Sequence, residues 1–193
     1  MSPPRVRESH QQTKMATKTI LSWESFLALG KEGEKCEWVD GEVVHMTPVN
    51  IRHERVLACL YIGLENYCVA HPGWFWIPSN AAFTMRSGNW RCPDASLTRM
   101  DRLPGGKIPD TRAEFPPGVA FEILSPSDQP GEIQRKRQDY HDSAVIQVWI
   151  DLDRRLVELI CPDRPLQFFQ ENEVLVIGGV PDFALPLKNL FAI

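Results

Sequence analysis

Residues 118–151 read GVAFEILSPSDQPGEIQRKRQDYHDSAVIQVWID, and this stretch decides the fold. Its first seven residues form a near-continuous apolar run, which is typical of a strand covered on both faces. Residues 132–143 then indicate a helix, and residues 145–151 indicate a second apolar strand. The order strand, helix, strand predicts a right-handed crossover between two parallel strands.

A β-hairpin and a long helix are predicted upstream of this unit. Asp40-Gly41 separates strand-like runs at residues 36–39 and 42–46, and this dipeptide is a strong hairpin signal. In that register Glu37 and Glu42 project from one face, because side chains alternate along each strand. The two carboxylates either belong to a half-solvated hairpin or face a site. Asn50 is a candidate N-cap for a helix over residues 51–69.

The remaining segments predict further strands and one short helix. The strands fall at residues 75–83, 91–97, 156–161, 166–170 and 174–177, and the helix at residues 22–29. We expect the last three strands to be antiparallel. A length of 193 residues favours one domain, which we place at residues 20–193 behind a flexible arm of residues 1–19.

Composition excludes several classes of protein. The 21 Lys and Arg against 25 Asp and Glu give a net charge of −4, which is not typical of general nucleic-acid binding. Apolar residues make up 43%, too many for a disordered chain, yet no apolar run reaches the ~20 residues of a membrane-spanning helix. Five cysteines without a C-x-x-C pair indicate reduced thiols rather than disulfides or a zinc site. With no signal peptide apparent, we expect a cytoplasmic protein.

Three polar side chains fall where the pattern predicts burial, and such positions usually have a functional or pairing reason. Glu122 interrupts the apolar strand, and Asp94 follows a proline that indicates a bulge or the start of a strand beside the acid. Lys136 shares a helix stripe with Ile133 and Tyr140 that should face the sheet. Structural alternatives remain open: a buried ion pair for Glu122, a capping role for Asp94 and a solvent-reaching side chain for Lys136.

Two acids on neighbouring strands with a lysine on the next helix suit one kind of chemistry. Carboxylate oxygens bind a hard cation such as Mg²⁺, which also binds phosphate oxygens. Such a cation lowers the pKa of a bound water and offsets charge that builds on phosphorus. The lysine would orient the nucleophile or the phosphate. The pattern therefore indicates phosphodiester hydrolysis.

The order of several motifs resembles the Uma-two family of restriction endonuclease-like proteins. The motifs are EWVDGE at 37–42, His53 at a helix start, PD at 93–94, FEILSPSD at 121–128, Lys136 with Tyr140, and VWID at 148–151. The resemblance runs from about residue 20 to the C-terminus. Members are assigned to the PD-(D/E)xK nuclease superfamily, which implies an α/β fold whose mixed β-sheet core is flanked by helices.

The resemblance also implies roles for individual residues. Asp94 and Glu122 would be the metal-binding acids and Lys136 the catalytic lysine. Leu124 stands two positions after Glu122, so the plain E-x-K signature is absent and the lysine would come from the following helix. Two further candidate catalytic residues match family positions with less certain roles: Glu42 and His53.

These observations predict an Mg²⁺- or Mn²⁺-dependent endonuclease that hydrolyses DNA and acts as a homodimer. Candidate nucleic-acid contacts are Arg52, Arg55, Arg135 and Arg137, and Arg91 and Lys136 are further candidate phosphate contacts close in sequence to the site. The motifs of zinc proteases, P-loop proteins and α/β-hydrolases are missing. The acidic composition and the missing E-x-K keep an alternative open, a catalytically inactive nuclease-fold protein that acts as a binding or regulatory module.

Overall fold

The computed structural model of the protein describes residues 36–45, 50–109, 112–126 and 128–192. In chain order the elements are β1 (Cys36–Val39), β2 (Glu42–His45), α1 (Ile51–Ala70), β3 (Trp74–Pro78), β4 (Phe83–Thr84), β5 (Trp90–Arg91), β6 (Ala95–Arg99), β7 (Val119–Ile123), α2 (Pro130–Asp142), β8 (Ile146–Asp151), β9 (Leu156–Ile160), β10 (Gln167–Gln170), β11 (Val174–Val176), β12 (Ala184–Pro186) and α3 (Leu187–Phe191). The predicted N-terminal arm and the helix at residues 22–29 lie outside the described residues. The single-domain assignment stays a prediction.

The largest sheet has six strands in the order β10-β9-β8-β7-β6-β3. β7 and β8 pair in parallel, from Val119 opposite Ile146 to Ile123 opposite Ile150, and α2 connects them. The other pairings in this sheet are antiparallel. The α/β fold with a mixed sheet flanked by helices is therefore confirmed, and so is the parallel strand pair expected from residues 118–151.

Both faces of this sheet are covered, which explains the apolar run in β7. Val119, Phe121 and Ile123 pack in a core cluster with α1 and the C-terminal elements. Ala120 packs on the opposite side with Tyr140 of α2 and Trp149 of β8. Alternate β7 side chains point to opposite faces, so Glu122 lies on the same side as Ala120 and faces α2.

A smaller sheet contains the predicted hairpin, in the order β2-β1-β5-β4. Asp40 and Gly41 both have positive φ, as a tight two-residue hairpin requires. Glu37 pairs with Val44 and Val39 pairs with Glu42, which confirms the predicted register. The chain passes from β5 of this sheet to β6 of the larger one, and Asp94 lies between these two strands.

Helix α1 begins where the sequence predicts. The Asn50 side chain accepts a hydrogen bond from the backbone N–H of His53 at 2.9 Å, as an N-cap does. The apolar residues predicted to share a face, Val56, Leu60, Leu64 and Tyr67, are buried. The cap thus fixes His53 in the first turn at the sheet edge.

Two long predicted strands are each split in the structure. The segment 75–83 breaks after Pro78, because Asn80 adopts a positive φ of 87° that asparagine tolerates better than most residues. The segment 91–97 breaks at Pro93-Asp94, because proline cannot donate a ladder hydrogen bond. Each break moves the chain from one sheet to the other. Pro93-Asp94 therefore lies at the junction of the two sheets.

The free thiols and the helix lengths agree with the composition. The five cysteines are free, as expected for reduced thiols. In the described part of the chain, no helix combines the length and apolarity needed to cross a bilayer.

We expect Leu60→Ala to lower the free energy of unfolding by about 2–5 kcal/mol, because Leu60 is fully buried and its truncation leaves a cavity. Ile108→Ala is the control, since Ile108 is 53% exposed and lies outside α1, and its loss should cost less than about 0.5 kcal/mol. Urea denaturation of both variants checks this. Equal losses would contradict the packing of α1 on the sheet.

Candidate active site

Asp94 and Glu122 lie side by side at the edge of two neighbouring strands. β6 and β7 are antiparallel with Ala95 opposite Phe121, so the residues that precede and follow this pair, Asp94 and Glu122, are adjacent in register. The Asp94 carboxylate accepts a hydrogen bond from the backbone N–H of Ile123 at 2.9 Å. Both acids are only 6% exposed. The structure therefore brings together the two acids that the sequence placed on separate strands.

Lys136 lies over this acid pair. Its Nζ is 3.1 Å from Glu122 Oε1 and 3.1 Å from Glu37 Oε1. Tyr140, one turn later in α2, donates a hydrogen bond from its hydroxyl to Glu122 Oε1 at 2.6 Å. The stripe of α2 therefore does face the sheet, and it supplies both a cation and a hydroxyl donor to Glu122.

Glu37 anchors this lysine from the hairpin. Its Oε2 accepts a hydrogen bond from Arg91 at 2.8 Å, and its Oε1 accepts one from the backbone N–H of Cys92 at 3.0 Å. Arg91 in turn donates from Nε to Asp139 Oδ2 at 2.7 Å. Arg91 is 1% exposed, so it acts as a buried clamp between the hairpin and α2.

His53 joins the site from the first turn of α1. Its Nε2 lies 3.3 Å from Asp94 Oδ2, and its side chain is buried. The imidazole carries an additional charge only when it is protonated. The Asn50 cap described above fixes the start of α1, and this places the His53 side chain next to Asp94.

These residues line an open pocket of about 700 Å³. Besides the buried cluster, its wall includes further acids and both sheet and loop residues: Glu54, Asp128, Glu132, His45, Ser79, Asn80, Ser125 and Gln129. A smaller pocket of about 230 Å³ adjoins it at His53 and Ser125 and includes Arg52. The site is therefore accessible from outside, although its central charges are buried.

The buried cluster has an unbalanced charge. Four buried carboxylates, those of Glu37, Asp94, Glu122 and Asp139, share two permanent cations. With all four ionised and His53 neutral, the carboxylates outnumber the cations among the described residues of the cluster. Buried charge of this kind is costly unless protons or a cation compensate it.

The electrostatic effects on the two glutamates differ in direction. Burial raises the pKa of Glu122 to about 7, with Asp94 and Glu37 adding to the rise and Lys136 and Tyr140 opposing it. Burial also acts to raise the pKa of Glu37, but Lys136 and Arg91 outweigh it, so that pKa is lowered. Burial acts to lower the pKa of Lys136, while Glu122, Glu37 and Asp94 raise it overall. Lys136 therefore stays an ammonium at neutral pH.

The donor chemistry suits a hard divalent cation, although the side chains are not arranged as a ready cage. Asp94 and Glu122 offer carboxylate oxygens, the ligands that Mg²⁺ prefers, and Mg²⁺ keeps several waters. Within the described ranges, no group of three or more His, Cys, Asp or Glu side chains is spaced to hold a metal ion. The oxygens of Glu122 already accept from Tyr140 and Lys136. Two protein ligands plus waters are therefore what the site can offer.

The other predicted site residues lie around this cluster. Glu42 pairs with Val39 at the turn end of the hairpin and is absent from the pocket wall. The four arginines predicted to contact nucleic acid each have a protein partner: Arg52 with Asp153, Arg55 with Cys59, Arg135 with Glu132, and Arg137 with Glu158. Of these four, Arg52 lines a pocket.

Asp139 was missed in the sequence, and the expectation that Arg91 contacts phosphate is wrong, because Arg91 is buried and paired with Glu37 and Asp139. Arg91 sits in a two-residue strand between two apolar neighbours, Trp90 and Cys92, which is a signal that a charged residue there needs a partner. Asp139 precedes Tyr140 on the helix and gives no comparable signal. Ser87 and Asn89 also donate to Asp139, at 2.9 Å and 3.0 Å, and so hold it in place.

We expect two substitutions to move the pKa of Glu122 in opposite directions. Lys136→Met removes a cation that favours the carboxylate and raises this pKa above about 7, whereas Asp94→Asn removes a like charge and lowers it. Carboxyl-detected NMR titration measures both shifts. Lys188→Met, at an exposed site, is the control and leaves the value unchanged. Shifts of the same sign in both variants would contradict the geometry.

Comparisons with known proteins agree with this fold. Among solved structures, the chain is similar to a protein from Anabaena variabilis ATCC 29413 described as "a putative nuclease belonging to DUF820", with a TM-score of 0.76 and 17% identity. That match covers 88% of this chain and 96% of the other. A chain of the "DrdV-DNA complex" matches with a TM-score of 0.35 and 12% identity over 71% of this chain and 13% of the other, which is too low to support an argument. No curated protein matches the chain.

The first of these likenesses, at 17% identity, establishes the fold alone. The family assignment comes from the sequence, because residues 23–188 match the model of the family Uma2, described as "Putative restriction endonuclease". This match covers most of the chain and confirms the resemblance drawn from its motifs. The chain belongs to the Uma2 family.

Proposed function

We propose that the protein is a divalent-metal-dependent endonuclease that hydrolyses phosphodiester bonds of DNA. One observation carries this proposal: Asp94 and Glu122 lie adjacent in an open, carboxylate-rich pocket, with the Lys136 ammonium 3.1 Å from Glu122. A divalent cation would offset the negative charge of these carboxylates. Membership of a family described as restriction endonucleases supports the substrate class.

Asp94 and Glu122 are the residues that would hold the ion, which we take to be Mg²⁺ or Mn²⁺. When bound, the ion would activate a water and offset negative charge on the phosphoryl oxygens. Asp94 is held for this role by the Ile123 N–H, and Glu122 by the Tyr140 hydroxyl. These neighbours restrict both carboxylates to orientations that face the pocket.

Lys136 would act as a fixed cation rather than as a base. Its pKa is raised by the surrounding carboxylates, so it keeps its protons at neutral pH. An ammonium in this position donates hydrogen bonds to a phosphate oxygen or to the attacking water. Glu37 and Arg91 would keep it in place through the contacts described above.

His53 and Glu42 have less direct parts in this proposal. His53 lies 3.3 Å from Asp94 and can take up or release a proton next to the proposed ion site. Glu42 stays a candidate from the family pattern, and its place at the end of the hairpin suits a contact at the pocket mouth rather than with the ion. Substituting His53 and Glu42 one at a time would distinguish the effect of each residue on cleavage from that of Asp94.

DNA would approach along the open side of the pocket. Arg52 at the adjoining pocket, and Arg135 and Arg137 on α2, are the cations we propose to exchange their present acidic partners for phosphates. Arg55 lies on the exposed side of α1 and is the least suited of the four. We also propose a cytoplasmic homodimer, consistent with the free thiols and with the two strands of a DNA substrate.

A second candidate function is a nuclease-fold binding module without activity. The pocket wall favours it in one respect, since its acids outnumber its lysine and arginine: Glu37, Glu54, Asp94, Glu122, Asp128 and Glu132 against Arg91 and Lys136. Such a wall repels phosphates unless cations are bound. Activity in the presence of metal therefore separates the two candidates.

We expect the purified protein to cleave plasmid DNA with Mg²⁺ or Mn²⁺ and to lose cleavage with a chelator. Asp94→Asn and Glu122→Gln each reduce the cleavage rate by at least about 100-fold, because each removes a ligand of the ion. Asp163→Asn, at an exposed acid outside the pocket, is the control and cleaves normally. A folded wild type that never cleaves supports the binding module, and cleavage by both site variants refutes the site.

A further inference from the structure

Helix α1 has an apolar stripe on the face turned away from the core. Ile51, Ile62 and Val69 are 89%, 60% and 73% exposed, and Ala58 is exposed between them. At 100° per residue, these four positions lie within about 20° of one direction around the helix. Single exposed apolar residues are ordinary, but four aligned along a helix form a surface of the kind that contacts another protein.

The order of residues along this stripe is symmetric. Three pairs of residues are each equally far in sequence from position 60. The pairs are Ile51 with Val69, Ala58 with Ile62, and Arg55 with Glu65. Two copies of α1 packed antiparallel, with their midpoints level at residue 60, therefore place apolar residues opposite apolar residues. The same alignment places each Arg55 opposite a Glu65. Such self-complementarity is the property of an interface with two-fold symmetry.

The remaining charges of the helix agree with this alignment. Arg52 comes opposite Cys68, and Glu54 comes opposite Asn66, so no like charges face each other along the antiparallel pair. A parallel pair would instead oppose each residue to itself and set Arg55 against Arg55. Both Arg55 and Glu65 are exposed, with Arg55 bonded to Cys59 and Glu65 to Trp76 within the chain. They are ten residues apart, about 15 Å along the axis, too far to pair with each other.

We propose that this stripe is the docking surface for a second copy of the chain, in an antiparallel α1–α1 contact whose midpoint lies level with residue 60; the Leu60 side chain itself is on the opposite, buried face. The inference gives the proposed homodimer an interface, but it rests on α1 alone and not on the nuclease chemistry. The stripe shares no residue with either pocket. In this dimer the two His53 positions are about 21 Å apart along the helix axes, so both sites stay open.

The first test measures the dimer constant of the full chain by sedimentation velocity over a concentration series. One helix pair buries less than the ~800 Å² per partner of a standard interface, so we expect a dissociation constant of micromolar order. Ile62→Glu raises this constant by about 100-fold or more, because each dimer contains the contact twice. Phe168→Glu is the control, since Phe168 on β10 is similarly exposed, at 53%, and leaves the constant unchanged.

The second test uses the charge pair and does not depend on removing apolar surface. The variant Arg55→Glu places two glutamates opposite each other at both ends of the contact, and Glu65→Arg does the same with two arginines. Because like charges repel, each variant alone should be monomeric. Mixing the two variants restores two opposite-charge pairs and should give a heterodimer near wild-type strength. Circular dichroism of each variant checks its folding, and recovery on mixing shows that both chains are intact.

Several outcomes would overturn the proposal. In the first, the full chain stays monomeric at every concentration tested. If residues 1–35 then protect α1 from hydrogen exchange, they and not a second copy cover the stripe. Alternatively, Phe168→Glu dissociates the dimer and Ile62→Glu does not, which places the interface on β10. Finally, the mixed variants fail to associate. None of these results bears on cleavage by Asp94 and Glu122, so failure of the interface and failure of the nuclease proposal are distinguishable.

Discussion

The buried ammonium of Lys136 is the interaction on which the site depends. It lies 3.1 Å from Glu37 of the hairpin and 3.1 Å from Glu122 of the main sheet, so one helix side chain joins the two sheets. Arg91 of the same smaller sheet adds a second link, between Glu37 and Asp139 of α2. Since an isolated charge is expensive to bury, each member of this network depends on the others being in place. The hairpin therefore belongs to the site, because its Glu37 holds Lys136.

The charges of this network also bear on whether the site would bind a cation. Among the described residues its carboxylates outnumber its cations, and burial raises the pKa of Glu122 to about 7, which favours a proton on Glu122 and lowers the excess of negative charge. A divalent cation would relieve it more completely and keep both acids ionised. The overall charge of −4 thus includes a charge that belongs to the site, and it is a poor guide to whether the protein binds nucleic acid. Under the proposed function, the acids that oppose phosphate binding are the ones that would hold the metal.

The sequence predicted most of the elements that form the site, because the patterns that predict them lie within short segments of the chain. The apolar run around Glu122 predicted a doubly covered strand, and the stripe of α2 predicted that Lys136 faces it. Asp40-Gly41 and Asn50 fixed the hairpin register and the start of α1. Pro93 indicated a bulge or a strand start beside Asp94, and β6 does begin at Ala95. The break at Asn80 was missed, because it depends on where the chain leaves one sheet for the other. The clamp of Arg91 with Asp139 was missed for a similar reason, since their contact spans 48 residues.

The most direct test of this account is a crystal grown with Mn²⁺ and measured at a wavelength that gives anomalous signal from manganese. The account predicts one peak between the carboxylates of Asp94 and Glu122, with the Lys136 ammonium close by and the signal absent in Asp94→Asn crystals. A peak elsewhere, or none at saturating Mn²⁺ with the pocket open, would contradict the claim that this buried acid pair is a metal site.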